Sequence, residues 1–213
     1  MSPAVYIVSK LLTKEYCRQR HSDPKRLFPK VLFEAENVRR KMKKTIDYGG
    51  SANKMALNMD MAAAVFGLYN ATGKRLGAKE LFAVIGGMLP RSIPVITPFL
   101  KKHFGIFAFL IRKGMKAAGK DVVRHRAKGE WRDAWSVYVE PKGKDESVRI
   151  VLTGCPIVKF AAENGYTKLM PALCGSDYLT SELMGARLIR PYTIAQGHKT
   201  CPYTYVPSGK KRG

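Results

Sequence analysis

The chain is short of cysteine, with four in 213 residues. That is too few for a disulfide framework, and the usage fits a reducing compartment. No export signal is legible either: Met1 to Leu12 has Lys10 inside its apolar stretch and lacks a charged start and a cleavage site. The expectation is a cytoplasmic protein with free or metal-bound thiols. Long uncharged runs are missing too. The apolar region Leu81 to Ile111 is divided by Arg91, Lys101, Lys102 and His103 and by Pro90, Pro94 and Pro98, so no run reaches the ~18 residues of a spanning helix. Acids are scarce, 16 Asp and Glu against 38 Lys and Arg, for a net charge of +22. The surplus favours anionic partners, whether nucleic acid, an anionic membrane surface or a small anion. Yet helix-turn-helix, zinc-finger and aromatic–basic RNA motifs are lacking, and the cations are spread along the chain, as on ordinary solvated faces. Their densest stretches are Arg39 to Lys44, Arg112 to Lys128 and the tail Lys210-Lys211-Arg212. Internal repeats and low-complexity segments are lacking as well.

What is present reads as an α+β protein: N-terminal helices plus a C-terminal antiparallel or mixed sheet covered by helices. Residues 1–128 form a helical region, 129–207 an α/β region and 208–213 a basic tail, all in one compact unit. Val5, Val8, Leu11 and Leu12 recur at helical spacing, and Ser22-Asp23-Pro24 breaks and restarts the helix. Further helices are expected over about 26–46, 53–69, 78–88 and 98–118, the third of these closed by Gly86-Gly87 and Pro90. The last carries Phe99, Phe104, Phe107, Phe109 and Leu110, an aromatic density that predicts burial in the core or in a pocket wall. After Lys128 the period changes. Trp135 to Val139 and Ser147 to Thr153 alternate as a hairpin around a Pro141–Asp145 turn. Helices follow from Pro156 to Asn164 and from Leu169 to Leu183, then strands over 187–195 and 202–206.

The chemistry is concentrated late in the chain. Cys155, Cys174, Asp177, His198 and Cys201 fall within 47 residues. Cys174 and Asp177, at i and i+3, share a helix face. Three readings are open. In the first, Cys174 near a helix start has a lowered pKa and acts as a nucleophile, with Asp177 orienting a base or binding an ammonium group. In the second, Cys155, Cys174 and Cys201 ligate zinc, with His198 or Asp177 as fourth ligand. In the third, Cys155 and Cys174 are small buried hydrophobes and Asp177 is an ordinary partner for an arginine.

Three motifs together resemble the L-2-amino-thiazoline-4-carboxylic acid hydrolase family. They are Cys155-Pro156 opening a helix, Leu173-Cys174-Gly175-Ser176-Asp177 on the next, and Arg190-Pro191-Tyr192-Thr193-Ile194-Ala195-Gln196-Gly197-His198-Lys199-Thr200-Cys201. The likeness covers roughly residues 130–206, and Pro202 after Cys201 departs from the acidic or amide groups usual there. The resemblance implies hydrolysis of a C–S or C–N bond in a 2-amino-thiazoline ring carrying a carboxylate, giving a carbamoylated cysteine. Cys174, Asp177 and His198 are then the catalytic candidates, by thiolate addition or by activation of water. Arg190 or Arg187 would hold the substrate carboxylate, and the positive surplus would draw an anionic substrate in. The Ala-x-Gly-x-x-x-Cys turn is also similar, more distantly, to that of the 4-vinyl reductase family. That likeness implies the alternative of a non-catalytic small-molecule or zinc-binding module. Homo-oligomerisation stays open.

Overall fold

The computed structural model describes residues 2–92, 99, 102–143 and 146–208. The basic tail beyond 208, residues 144 and 145 of the hairpin turn, and Pro98 at the expected start of the aromatic helix lie outside them. Helix α1 (Pro3–Arg20) ends at His21 in the left-handed conformation. Helix α2 (Pro24–Thr45) starts where expected: the Asp23 side chain accepts from the Lys25 N–H and Pro24 occupies the first turn. Helix α3 (Ala56–Ala71) is apolar nearly all round and buries Met59, Phe66 and Leu68, which is the pattern of a central helix. It lies close against α2, since a β-carbon on Gly67 would stand 2.6 Å from the Ala35 Cα.

Helix α4 (Ala78–Ser92) runs straight through Gly86, Gly87 and Pro90, so the expected stop at the glycines is not there. Both glycines serve close approach instead. A β-carbon on Gly87 would overlap the Glu15 carboxylate of α1, and one on Gly86 would stand 3.3 Å from the Leu179 Cδ1. Helix α5 (Phe104–Arg126) begins later and ends later than its apolar pattern suggested. Its aromatics also depart from expectation. Phe107 is buried, but Phe109 is exposed with Ile106 and Leu110, as is Phe99 ahead of the helix. The face of α5 that meets the sheet carries Phe107, Ala118, Gly119 and Val122, and Gly119 lets the backbone approach the Val137 carbonyl oxygen.

The sheet is antiparallel in the order β1-β2-β4-β3, from β1 (Ser136–Val139), β2 (Val148–Thr153), β3 (Ala186–Ile189) and β4 (Thr200–Pro207). The β1–β2 hairpin is as predicted. Val148, Ile150 and Leu152 stand opposite Tyr205, Tyr203 and Cys201, so the alternation sets all six on the core face. The expected long strand over 187–195 is short. Past β3 the chain turns and makes a 3-10 turn, Ile194–Gln196. Pairing with β3 ends at Thr204, so at Pro202 strand β4 has a neighbour on one side only, where a residue without N–H is tolerated. Helices α6 (Pro156–Asn164) and α7 (Met170–Leu183) fall where the sequence put them, α6 closed by Gly165 at φ 73°. One buried cluster joins the helical and sheet regions, from Leu12 through Phe66 to Ile150 and Phe160. Among the described residues no helix is long and apolar enough to cross a membrane.

Candidate active site

A cavity of about 210 Å³ opens between α3, the core face of the sheet, and helices α6 and α7. Its lining includes Cys155, Cys174, Asp177 and Cys201, four of the residues singled out in the sequence. A larger, shallower depression of about 780 Å³ lies at residues 43–52 and 130–133. It carries no thiol, and its Asp47 and Asp133 bond to Arg132, Lys159 and backbone N–H groups. Three thiols and the Asp177 carboxylate converge on the smaller, more enclosed cavity.

Cys155 is the N-cap of α6, reached from β2 through Gly154 at φ 65°. Strand, left-handed glycine and proline-opened helix together aim its side chain at the start of the helix. Burial pushes the thiol up to about 11, opposed by the N–H of Val158, the Trp135 side chain and the N–H of Ile157. Cys174 is the fifth residue of α7, past the first turn whose N–H groups are unpaired. Burial pushes it up to about 12; the charge of Arg190 draws it down, while Asp177 and the other two cavity thiols push it further up. The lowered pKa expected of Cys174 is thus reversed, because desolvation outweighs its one cationic neighbour. The Cys201 sulfur accepts the Ile194 N–H at 3.0 Å, which ties the 3-10 turn to β4, and burial raises its pKa as well.

Asp177, Arg190 and Tyr203 form one unit. Arg190 Nη1 donates to Asp177 Oδ2 at 2.5 Å and to the Tyr203 hydroxyl at 3.0 Å, and the Tyr203 hydroxyl donates to Asp177 Oδ2 at 3.0 Å. Arg190 Nη2 donates to the Cys174 carbonyl. The guanidinium lies between the Tyr178 and Tyr203 rings, 5.0 Å from each centroid. The Arg190 side chain is 2% exposed, whereas that of Asp177 keeps 41% of its surface because it faces the cavity. Burial raises the Asp177 pKa against the pull of Arg190 and Tyr203. Desolvation works against the Arg190 charge, yet Tyr203 and Asp177 outweigh it and hold the group cationic. The Tyr203 phenol is pushed far up by burial and by the Asp177 charge, so it keeps its proton.

The other candidates fall elsewhere. His198 is exposed and stacks on Tyr192 at 4.5 Å, outside the cavity lining. Arg187 is exposed opposite Val206, on the sheet face away from Cys201 and Tyr203. Arg190 lies behind Asp177 with both terminal nitrogens engaged, and its buried Nε has no partner. The zinc alternative does not find its ligands. Among the described residues no three His, Cys, Asp or Glu side chains stand together in a way that could hold a metal, and the nearest histidine in sequence points to solvent. All four cysteines are free. The sequence reading missed Tyr203, Trp135 and the lining residues Met55, Asn58 and Met61. For Tyr203 a signal existed: two residues after Cys201 on a strand, it faces the same way.

The family model for L-2-amino-thiazoline-4-carboxylic acid hydrolase matches residues 58–205, a span that begins in the first turn of α3 and includes every residue of the Asp177 unit. No curated protein and no solved structure matches the chain significantly.

Proposed function

The chain belongs to the L-2-amino-thiazoline-4-carboxylic acid hydrolase family, and on that premise we propose that it hydrolyses a small amidine of the 2-amino-thiazoline-4-carboxylate kind, opening a C–S or C–N bond. The carrying observation is Asp177, a carboxylate fixed by Arg190 and Tyr203 in a cavity otherwise lined by apolar side chains, thiols and uncharged polar groups. A carboxylate in such surroundings suits a protonated amidine, whose two N–H groups pair with it as a guanidinium does. About 210 Å³ suits a ligand smaller than the usual drug-sized occupant. The lining offers no cationic side chain, so the substrate carboxylate points to the mouth, where Asn58 is exposed.

In this reading Asp177 holds the amidine and carries its protons. Cys155, at the N-cap of α6, adds to the carbon between sulfur and nitrogen. The ring C–S bond breaks and the ring sulfur leaves with a proton. Water then replaces the Cys155 sulfur, and its oxygen becomes the carbonyl of the carbamoyl product. Arg190 is a positioning residue that acts through Asp177. A reducing compartment such as the cytoplasm keeps the thiols free.

The test is turnover of 2-amino-thiazoline-4-carboxylate, read as release of product thiol in excess over enzyme. Asp177→Asn should lower it by at least about 100-fold, with folding checked by circular dichroism. Cys155→Ser should abolish a covalent adduct detectable by mass spectrometry. Full turnover in Asp177→Asn rules the proposal out. A second reading, the non-catalytic binding module, is favoured by the neutral state of the resting thiols; tight binding of the compound with no thiol released decides for it.

A further inference from the structure

The proposed hydrolytic site makes no use of the outward face of α5 (Phe104–Arg126), which is unusual on two counts. It is apolar where a solvent face should be polar: Ile106, Phe109 and Leu110 are exposed, Phe109 at 61%. It is also one-signed. The helix has six Lys and Arg against one acid, Asp121, and that acid is paired with Lys54 and Arg124. Two of the six cations turn inward, Arg112 to the carbonyls of Glu140 and Ser147 and Arg126 to Ser136 and the Ala134 carbonyl. Lys113, Lys116 and Lys120 turn outward and are exposed. At 100° per residue they continue the row begun by Ile106 and Phe109, and Lys113 Nζ lies 5.8 Å from the Phe109 ring centroid. The first two turns thus present an apolar tip and the next three a line of ammonium groups.

We propose that this face of α5 docks the protein on an anionic lipid surface, with Ile106, Phe109 and Leu110 entering the headgroup–acyl boundary and Lys113, Lys116 and Lys120 among the headgroups. Charge complementarity selects this occupant. A second copy of the chain related by a two-fold axis would set the lysine row against itself. A nucleic-acid backbone would satisfy the lysines but leave the apolar tip without a role. An anionic bilayer satisfies both halves: a wet interface for long cationic side chains and an apolar layer for the tip. The helix is not apolar enough to cross a membrane, which fits a protein that lies on one.

Co-sedimentation of the full chain with vesicles tests it. Binding is expected to phosphatidylserine–phosphatidylcholine vesicles, to be weak on phosphatidylcholine alone, and to fall as salt rises. Lys113→Gln with Lys116→Gln and Lys120→Gln should weaken it on the order of 100-fold, from about fivefold per cation. Phe109→Ser with Leu110→Ser should weaken it at least about tenfold. All five positions are exposed, and circular dichroism of each variant verifies the fold. Absence of binding to anionic vesicles overturns the proposal, as does binding that both variants leave unchanged. Dimerisation in solution abolished by Phe109→Ser assigns the face to a second copy and overturns it. Binding of an oligonucleotide that needs the lysines but not Phe109 overturns it as well. Turnover by the cavity is independent of every one of these outcomes.

Discussion

Cys155 and Cys174 line the same cavity in unlike surroundings. Cys155 is the N-cap of α6, where the Val158 N–H, the Trp135 side chain and the Ile157 N–H draw its pKa down against burial; for Cys174 only the charge of Arg190 does so. Resting thiolate at neutral pH is about one part in ten thousand for Cys155, from its pKa of about 11, and less for Cys174. Iodoacetamide labelling mapped by mass spectrometry should therefore be slow for both at pH 7 and rise as the pH rises, with Cys155 modified before Cys174. Fast labelling of Cys174 at neutral pH would contradict the assignment. The sequence marked both cysteines but not their rank. Position in a helix was read as proximity to its start, and one turn makes the difference: N–H groups are unpaired at the N-cap of α6 and already used at the fifth residue of α7.

At the scale of elements, glycine placement separates helices that must touch from those that need not. Gly87 of α4 lies over the Glu15 carboxylate, which also accepts from Arg18, Gln19 and Arg91. Gly87→Ala has to displace that buried carboxylate, and a loss of about 1–3 kcal/mol is expected. Gly114 of α5 has nothing within 4 Å of a β-carbon, so Gly114→Ala should stabilise by about 0.5–1 kcal/mol through helix propensity alone. Urea denaturation of the two variants reads both signs, and the same sign for both would refute the account. From sequence, Gly86-Gly87 read as a helix stop, because a stop and a close contact use the same residue for different reasons. Only the position of α1 distinguishes them.

Over the whole molecule, the carboxylates that stabilise the fold are those held below their ordinary range. Glu15 is held down by its bond from Arg18, against its burial, with help from Gln19 and Arg91. Glu80 is held down by the Gly77 N–H, and Asp121 by Lys54. A depressed carboxyl contributes stability that is present above its unfolded pKa and lost as pH falls through its folded pKa. Stability should thus hold from neutral pH to about pH 4 and decline below it. Asp177 has the opposite sign: with its folded pKa raised, stability falls as pH rises from the unfolded to the folded value. Acid titration followed by circular dichroism should show the decline below pH 4, and Glu15→Gln should make it shallower. A Glu15→Gln variant with an unchanged acid limb would remove Glu15 from this role.

Local chemistry in the sequence determined most element boundaries after residue 128: the β1–β2 alternation, Pro156 and Gly165 bounding α6, and Cys174 and Asp177 one turn apart on α7. It also determined the family-bearing motifs, because those are fixed spacings along one chain. Register and packing decided the rest. Strand pairing put Arg187 on the sheet face away from Cys201 and Tyr203. The turn after β3 buried Arg190 behind Asp177 rather than offering it to a substrate. Burial raised the thiols that a helix start was expected to lower. The aromatic run of α5 looked like core, yet the helix had one face to give the sheet and more aromatics than that face could hold. Which side of an element meets its neighbour is a long-range property, and desolvation, which sets the chemistry of Cys155, Cys174 and Asp177, depends on nothing else.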